Sequence, residues 1–398
     1  MSGSKRLLER IEARGAGLLG DKYVCADCVD DEALKAFIRR EACCWRCNYC
    51  GNRRRSVEVD DLMDLIMDGI KTEWDDPANE MGWDSREGGW LGVTVDKYDL
   101  VSDLEITEKE DLYDDIVGAI TNFEWCERDP YGLSRHDRLA FGWGEFCDLV
   151  KHKNHFFPVI KPRNTPRFPD PDDISPKELL ESLSEIFVEL GLIRQLPRGT
   201  RVIRARTHSP GVTLRTAGEL ASPPKELAYM ANRMSSPGIP MFYGASNQKT
   251  ALAEVDYPDS GGAVSVATFE TAVPFKVVDL SRLPEVPSIF DLDRSYLRPW
   301  TRFIRDFVAD FSKPIARDDK IHVEYVPTQY VTAYIQHMMP GNIKGVIYPS
   351  SKVKGGKSWV LFFTNEECRE DGEGYPKPKR YLKLLPTSIR RFPAGASR

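Results

Sequence analysis

The chain has 398 residues, a length that predicts two or three domains. Hydrophobic residues make up 41% of it, enough to bury a sizeable core and to exclude a largely disordered chain. The net charge of −6 disfavours a basic protein that coats nucleic acid or a membrane surface. That average conceals a split, because residues 1–150 carry 19 basic and 34 acidic side chains whereas residues 151–398 carry 36 and 27. The two parts are therefore expected to do different jobs.

The first residues, MSGSKRLLERIEARG, form a charged, helix-like stretch without the apolar core of a signal peptide. No uninterrupted apolar run in the chain approaches the roughly 18 residues of a membrane helix. We therefore expect a cytoplasmic protein without a membrane partner.

Six of the nine cysteines lie within the first fifty residues. In a reducing compartment, clustered cysteines indicate a metal site before disulfides. Two CxxC pairs separated by eighteen residues have the spacing of four-cysteine zinc sites, in which two such turns complete a tetrahedron. The predicted ligands are Cys25, Cys28, Cys47 and Cys50. Cys43 and Cys44 stay open as alternatives, because Cys44-x2-Cys47 is a competing pair. Four thiolates leave no open position on zinc, so this Zn2+ would be structural.

The part of the chain before residue 158 has a mostly helical pattern. In VEVDDLMDLIMDGI, apolar residues from Val59 to Ile70 share one helix face and aspartates lie opposite. DLYDDIVGAI and RLAFGWGEFCDLV follow the same pattern. Residues 75–100, rich in Gly and Asp, are predicted to form an irregular loop.

A boundary is predicted at residues 158–174, where five prolines and the lack of any helical or strand period indicate an extended linker. A helix is predicted to begin directly after it. Ser175 is its cap, Pro176 fits its first position, and Glu178 completes a capping box. Gly191 is predicted to end it.

After residue 198, short β-branched and aromatic runs predict the strands RVIRAR, AVSVATF, FKVVDL, GVIYPS and SWVLFF. Three helical stretches lie among them: KTALAEV, WTRFIRDFVADF and TQYVTAYIQHMM. Because the strands predominate and do not alternate regularly with helices, an α+β fold is favoured. The chain has neither a GxGxxG nor a GxxxxGK[ST] loop, which argues against a Rossmann or P-loop nucleotide site.

Several polar residues of this second half could gather in one cleft. Arg233 lies on a Gly/Pro turn, Tyr243 on a short strand and Glu254 on the following helix. RVIRAR places two arginines on one strand face, and GVIYPSS ends in two serines. Cations, an aromatic ring, a carboxylate and hydroxyls together suit a phosphorylated, ring-bearing ligand such as a dinucleotide. The candidate residues are Arg204, Arg206, Arg233, Tyr243, Glu254, Ser350 and Ser351.

The order NRMSSPGIPMFYGA, TALAEV and VIYPSS resembles the RES domain, over about residues 195–370. The resemblance implies an ADP-ribosyltransferase-like, mixed α/β fold. It also implies the activity of bacterial toxins that degrade NAD+, some of which are proposed to ADP-ribosylate proteins. Carried over by motif, the catalytic residues would be Arg233, Tyr243, Glu254 and Ser350. Arg204 matches the early arginine of the family, with Arg206 as the alternative. The predicted cofactor-binding residues are Arg204, Arg206 and Ser351. The stretch between Arg206 and Arg233 is longer than in compact members, so contacts there are expected to differ.

The stretch FCDLVKHKNHFFP resembles the HEPN-type helical domains that precede RES domains. The implied organisation is a helical HEPN-like domain over residues 1–157 with a zinc element at about 20–55, the linker, and a RES domain over 175–398. HEPN ribonucleases use an Arg and a His four to six residues apart. Arg128 and His136 have seven residues between them, which disfavours a ribonuclease.

The leading hypothesis is an NAD+-consuming toxin or antiphage-defence effector that cleaves the nicotinamide–ribose bond by hydrolysis or phosphorolysis. Glu254 would stabilise the positive charge that develops on the ribose, and the arginines would hold the phosphates. Tyr243 would pack against the nicotinamide ring and Ser350 would hydrogen-bond it. The alternatives are a protein ADP-ribosyltransferase that uses NAD+ and a zinc-containing protein that senses a nucleotide without turnover. An inhibitory antitoxin or a trigger protein is a further expected partner, and a homo-oligomer stays open.

Overall fold

The computed structural model of the chain describes residues 11–159, 170–259, 261–314, 321–368 and 379–394. Most of the predicted linker therefore lies outside the described residues. The chain divides into two compact units. The first contains the residues up to His136 together with Glu285–Arg302, and the second contains Asp137–Pro284 and the residues from Phe303 onward. None of the helices that are described has the length and apolar character needed to cross a membrane.

The first unit consists of helices joined by very short strands. In chain order these elements are β1 (Tyr23–Cys25), α1 (Glu32–Glu41), β2 (Ser56–Glu58), α2 (Val59–Glu73), β3 (Trp74–Asp75), α3 (Pro77–Glu80), β4 (Trp83–Asp84), β5 (Gly89–Trp90), β6 (Val95–Asp96), α4 (Lys97–Asp103), α5 (Glu110–Ala119) and β7 (Glu124–Glu127). The amphipathic pattern predicted for α2 is confirmed, since Leu62, Ile66 and Ile70 are all buried. The core of the unit also receives Ile289 and Phe290 from far along the chain.

The prediction of an irregular loop over residues 75–100 is wrong in part. This stretch contains α3, the antiparallel pair β4–β5 and β6, and α4 begins at its end. Strands of two residues are too short to show an alternating pattern, so the sequence carries little sign of them. Trp83 and Trp90 face each other across the β4–β5 pair with ring centroids 4.9 Å apart.

The remaining elements include the long strands. They are α6 (Arg135–Asp148), α7 (Pro176–Glu189), β8 (Ile193–Leu196), β9 (Arg201–His208), α8 (Ala217–Leu220), β10 (Phe242–Ala245), α9 (Gln248–Glu254), β11 (Ala263–Thr271), β12 (Phe275–Asp279), α10 (Arg298–Ser312), α11 (Ile321–Glu324), α12 (Val326–His337), β13 (Ile343–Pro349), β14 (Lys357–Leu361), β15 (Leu382–Leu384) and β16 (Arg390–Phe392). The predicted strands and helices of this half are confirmed, and with them the α+β class.

A nine-stranded sheet forms the centre of the second unit, in the order β15-β11-β9-β10-β14-β13-β12-β8, with β16 also paired to β11. Strand β9 pairs with β11 along its whole length. Its other edge pairs with β10 only where Ile203 meets Ala245. The sheet is therefore nearly divided into two parts, which separate beyond this one pair.

The helix predicted after the linker is present as α7. The Ser175 side chain accepts a hydrogen bond from the Glu178 amide, and the Glu178 side chain accepts one from the Ser175 amide. Together these two bonds form the predicted capping box. Gly191, with φ of 65°, follows the end of the helix in the left-handed conformation that glycine adopts without strain.

Candidate active site

A cavity of about 850 Å³ opens in the second unit at the place where β9 and β10 separate. Both strands contribute to its walls, together with the end of α9, the start of β14 and the chain around Tyr325. Six of the seven candidate residues line it: Arg204, Arg206, Arg233, Tyr243, Glu254 and Ser351. The seventh, Ser350, contacts Glu254 directly.

Glu254 is the last residue of α9, a helix that begins where the Asn247 side chain accepts a hydrogen bond from the Thr250 amide. Its carboxylate is half-buried, and two serine hydroxyls donate to the same oxygen, Oε1. The Oγ of Ser350 and the Oγ of Ser358 each lie 2.7 Å from it. Two hydrogen bonds to one oxygen fix the position of the carboxylate.

Arg233 is held by the backbone at the end of α10. Its guanidinium donates to the carbonyl of Phe311 at 3.0 Å and to that of Lys313 at 2.6 Å. Carbonyls at a helix C-terminus carry partial negative charge, so this is a favourable place for a cation. The guanidinium also lies 5.8 Å from the ring centroid of Tyr325.

Tyr243 contributes an aromatic ring and a hydroxyl to the cavity wall. Its hydroxyl lies 2.9 Å from the Oγ of Ser235. Burial raises the pKa of Tyr243 above its usual range, so the phenol stays neutral at physiological pH. Tyr348, buried beside it in the lining, has a raised pKa for the same reason. These two rings therefore offer contact surface and hydrogen bonds rather than a base.

Arg204 and Arg206 provide two cations from β9. Arg204 donates to the Tyr243 carbonyl at 2.6 Å and lies over the Phe242 ring. Burial, and secondly the charge of Arg206, lower the pKa of Arg204 to about 10, which leaves it protonated at neutral pH. Its Nε is buried and has no hydrogen-bond acceptor within the described part of the chain. Arg206 donates to the Glu219 carbonyl.

Three residues of the site were not singled out by the sequence reasoning: Ser358, Tyr325 and Tyr348. Ser358 opens the strand SWVLFF, and the register of β14 against β13 pairs it with Tyr348. No local pattern in the sequence marks Ser358, because its contact with Glu254 depends on how β14 pairs with its neighbouring strands and on where α9 ends. Ser351, which was singled out, lines the cavity as an exposed residue.

The predicted cysteine cluster is present in the first unit. The sulfurs of Cys25, Cys28, Cys47 and Cys50 all lie within 4.8 Å of one another. The Cys25–Cys28, Cys25–Cys50 and Cys28–Cys47 sulfur pairs are each 3.7 Å apart. A tetrahedron with Zn–S bonds of roughly 2.3 Å has edges of roughly 3.8 Å, so the four sulfurs could hold such an ion.

The alternative ligands lie outside this cluster. The Sγ of Cys43 is 3.7 Å from the Ser56 carbonyl, and the Sγ of Cys44 is 3.5 Å from the Arg46 carbonyl. The competing pair Cys44-x2-Cys47 is therefore not the one that the fold brings together, since Cys47 groups with the other three ligands.

Comparison with known proteins finds two family models that match the chain. Residues 42–162 match the model of the HEPN/RES N-terminal domain 1, and residues 201–379 match the model of the RES domain. No curated protein matches the chain. The RES match supports a family of NAD+-related toxins or effectors. The chain thus contains a HEPN/RES N-terminal domain followed by a RES domain.

Proposed function

We propose that the cavity of the second unit binds NAD+ and that the protein cleaves the nicotinamide–ribose bond. One observation carries the proposal: the Glu254 carboxylate, fixed by two serine hydroxyls, lines the same cavity as the guanidinium groups of Arg233 and Arg204. A negative group for the ribose and positive groups for the phosphates suit a dinucleotide whose ribose becomes cationic as the nicotinamide bond breaks.

The chemistry needs only one carboxylate. In NAD+ the nicotinamide ring is a cationic pyridinium, and it becomes a neutral base when its bond to the ribose breaks. No acid therefore has to protonate it, unlike the leaving group of most glycosides. Positive charge develops on the ribose as the bond breaks. Glu254 would stabilise this charge from a fixed position, without the reorganisation that water requires.

The other residues would bind and orient the substrate. Arg204 and Arg233 would hold the pyrophosphate or a ribose, and the buried Nε of Arg204 would gain the acceptor that it lacks among the described residues. Tyr243 would pack against the nicotinamide ring. We assign Ser350, together with Ser358, to the orientation of Glu254, because their hydroxyls both donate to its Oε1.

The acceptor of the ADP-ribosyl group defines the reaction. With water, NAD+ gives ADP-ribose, nicotinamide and a proton; with inorganic phosphate, it gives ADP-ribose phosphate and nicotinamide. With a protein side chain, the same bond cleavage would yield an ADP-ribosylated protein. Consumption of NAD+ in this way would stop the metabolism of the cell. We propose that the protein acts as a toxin or defence effector by this route.

The test is to incubate the full chain with NAD+ and phosphate and to follow the products by NMR. We expect nicotinamide to accumulate with ADP-ribose or its phosphate. If nicotinamide appears only when cell lysate is added, and a labelled protein band appears with labelled NAD+, the protein transferase takes precedence. If NAD+ binds tightly and stays intact under both conditions, the protein is a sensor and the proposed cleavage is wrong.

We further propose that the cluster of Cys25, Cys28, Cys47 and Cys50 binds a structural Zn2+. The support is the sulfur spacing together with the chemistry of four thiolates, which zinc prefers. Such an ion would link the β1 end to the turn at residues 47–50 and take no part in the reaction.

A further inference from the structure

Helix α6, which lies within the segment that matches the HEPN/RES N-terminal domain, packs against α10 and α12 in the second unit. The Trp143 ring meets Phe307 of α10 edge-on, with centroids 4.9 Å apart. Phe146 meets Tyr330 of α12 in the same way, at 5.6 Å. These contacts bring α6 to the two helices that flank Arg233.

Trp143 also forms a polar contact with the end of α10. Its Nε1 donates to Oδ2 of Asp310 at 2.9 Å, and the Nζ of Lys313 lies 2.6 Å from Oδ1 of the same carboxylate. The pKa of Asp310 is below its usual range, since the bonds from Lys313 and Trp143 outweigh the opposing effect of burial. Asp310 therefore ties the last turn of α10 to Trp143 and to Lys313.

The backbone held by these contacts is the backbone that holds Arg233. The Arg233 guanidinium donates to the carbonyls of Phe311 and Lys313. Phe311 directly follows Asp310 in the chain, and Lys313 is the ion-pair partner of Asp310. A shift of this turn would move both acceptors of Arg233 together. Arg233 has a second support in Tyr325, whose ring lies beneath its guanidinium.

A second ion pair reaches that support. The Nζ of Lys151, in the single π-helical turn Leu149–Lys153 that follows α6, lies 2.7 Å from Oε2 of Glu324. Glu324 immediately precedes Tyr325 in the chain. The segment after Asp137 thus contacts both structures that hold Arg233, the end of α10 through Trp143 and Tyr325 through Lys151.

We propose that Trp143 and Lys151 are positioning residues for Arg233, through which the last helix of the HEPN/RES N-terminal domain sets the affinity of the RES cavity for its substrate. The inference rests on the proposed function, because it assigns the substrate of that cavity to NAD+. A residue that binds the substrate equally in the ground and transition states alters KM rather than kcat. Displacement of Arg233 should therefore appear in KM.

The experiment compares Trp143→Phe with wild type in NAD+ turnover. The substitution keeps an aromatic ring against Phe307 and removes only the indole N–H. We expect KM for NAD+ to rise about tenfold with little change in kcat, the scale of one hydrogen bond to a charged group. Trp125→Phe is the matched control, since Trp125 is equally buried and donates only to the Asn122 carbonyl in the first unit.

A double-mutant cycle separates positioning from general loss of stability. In an Arg233→Lys background, Trp143→Phe should cause no further rise in KM, because the group it positions is gone. Lys151→Met should raise KM as Trp143→Phe does. Lys151→Arg, which keeps the positive charge, should have the KM of wild type. Additive effects in the cycle, or a KM unchanged in both single variants, would overturn the proposal.

A second readout does not depend on turnover. Hydrogen exchange in residues 303–314 should become faster in Trp143→Phe, and in Asp310→Asn if the tryptophan variant folds poorly, because the last turn of α10 loses its tie. Unchanged exchange in both variants would contradict the positioning role even if the chain proved inactive. A wild type that leaves NAD+ intact, with exchange altered as expected, would instead count against the proposed function alone.

Discussion

Some residues of the site, such as Glu254, could be predicted from the sequence, whereas others could not. The spacing of Glu254 from Arg233 and Tyr243 marked it as a candidate, and the structure brings these residues to one cavity. The role of Ser358 was not predictable in the same way, because it depends on the register between β13 and β14. Likewise, no local pattern indicates that Arg233 would be held by carbonyls about eighty positions further along the chain.

Replacement of Ser358 by Ala should lower kcat for NAD+ cleavage about tenfold, since one hydrogen bond to a charged group is lost and the Glu254 carboxylate gains freedom. Ser350→Ala should act similarly, and the double variant more strongly than either. Steady-state kinetics measure the effect.

Ser209→Ala is the matched control, as Ser209 is exposed and outside the cavity. Ser358→Ala with the kcat of wild type would show that Glu254 does not depend on this hydroxyl. The retained thermal stability of the variant must be checked, because Ser358 is itself buried.

Among the elements, α7 was the most predictable. Ser175, Pro176 and Glu178 specify where it begins, and Gly191 specifies where it ends, so local chemistry alone predicts the helix. The opposite case is the stretch over residues 75–100, where the strands are two residues long and are stabilised by their partners rather than by a repeating pattern. Periodicity can report only on elements long enough to repeat.

Helix α6 offers a test of close packing from two glycines two residues apart. A Cβ at Gly142 would collide with the Ile174 side chain, whereas a Cβ at Gly144 would meet open space. Gly142→Ala should therefore lower the free energy of unfolding by about 1–3 kcal/mol. Gly144→Ala should raise it by about 0.5–1 kcal/mol, because alanine is the better helix former.

Urea unfolding of the two variants and wild type measures the difference. Equal stabilities for Gly142→Ala and Gly144→Ala would contradict the packing of α6 against the residues just before α7. Because Trp143 lies between the two glycines, the pair also reports on the helix that we connect to Arg233.

Over the whole molecule, the division of charge in the sequence has a counterpart in two compact units with separate cores. The order of the sequence does not predict that Glu285–Arg302 joins the first unit, because this segment is far along the chain from the rest of that unit. Its residues Ile289 and Phe290, which lie between β12 and α10, enter the core of the first unit. The α+β class, by contrast, follows from the number and spacing of the apolar runs, and the structure confirms it.

The cysteine cluster predicts a metal requirement for the stability of the chain. Purified protein should contain about one Zn2+ per chain, and Cys25→Ser or Cys47→Ser should lose the metal and lower the melting temperature. Metal content is measured by mass spectrometry and stability by calorimetry.

Cys43→Ser and Cys44→Ser provide the comparison, because these thiols lie in the same segment but outside the cluster. Both should keep the metal. Loss of zinc from either of them, or a wild type that contains no metal after preparation without chelator, would contradict the proposed ligand set.

The central claim is that Glu254 promotes cleavage of NAD+ in this cavity, and the most direct test is the rate of nicotinamide release by the full chain and by Glu254→Gln. The amide keeps the size of the side chain and removes its charge. We predict continuous release by wild type and by the control Glu185→Gln, which alters an exposed residue of α7. Glu254→Gln should still bind NAD+ but release nicotinamide at least about 10²-fold more slowly than wild type. No release by wild type, or equal rates for wild type and Glu254→Gln, would contradict the account.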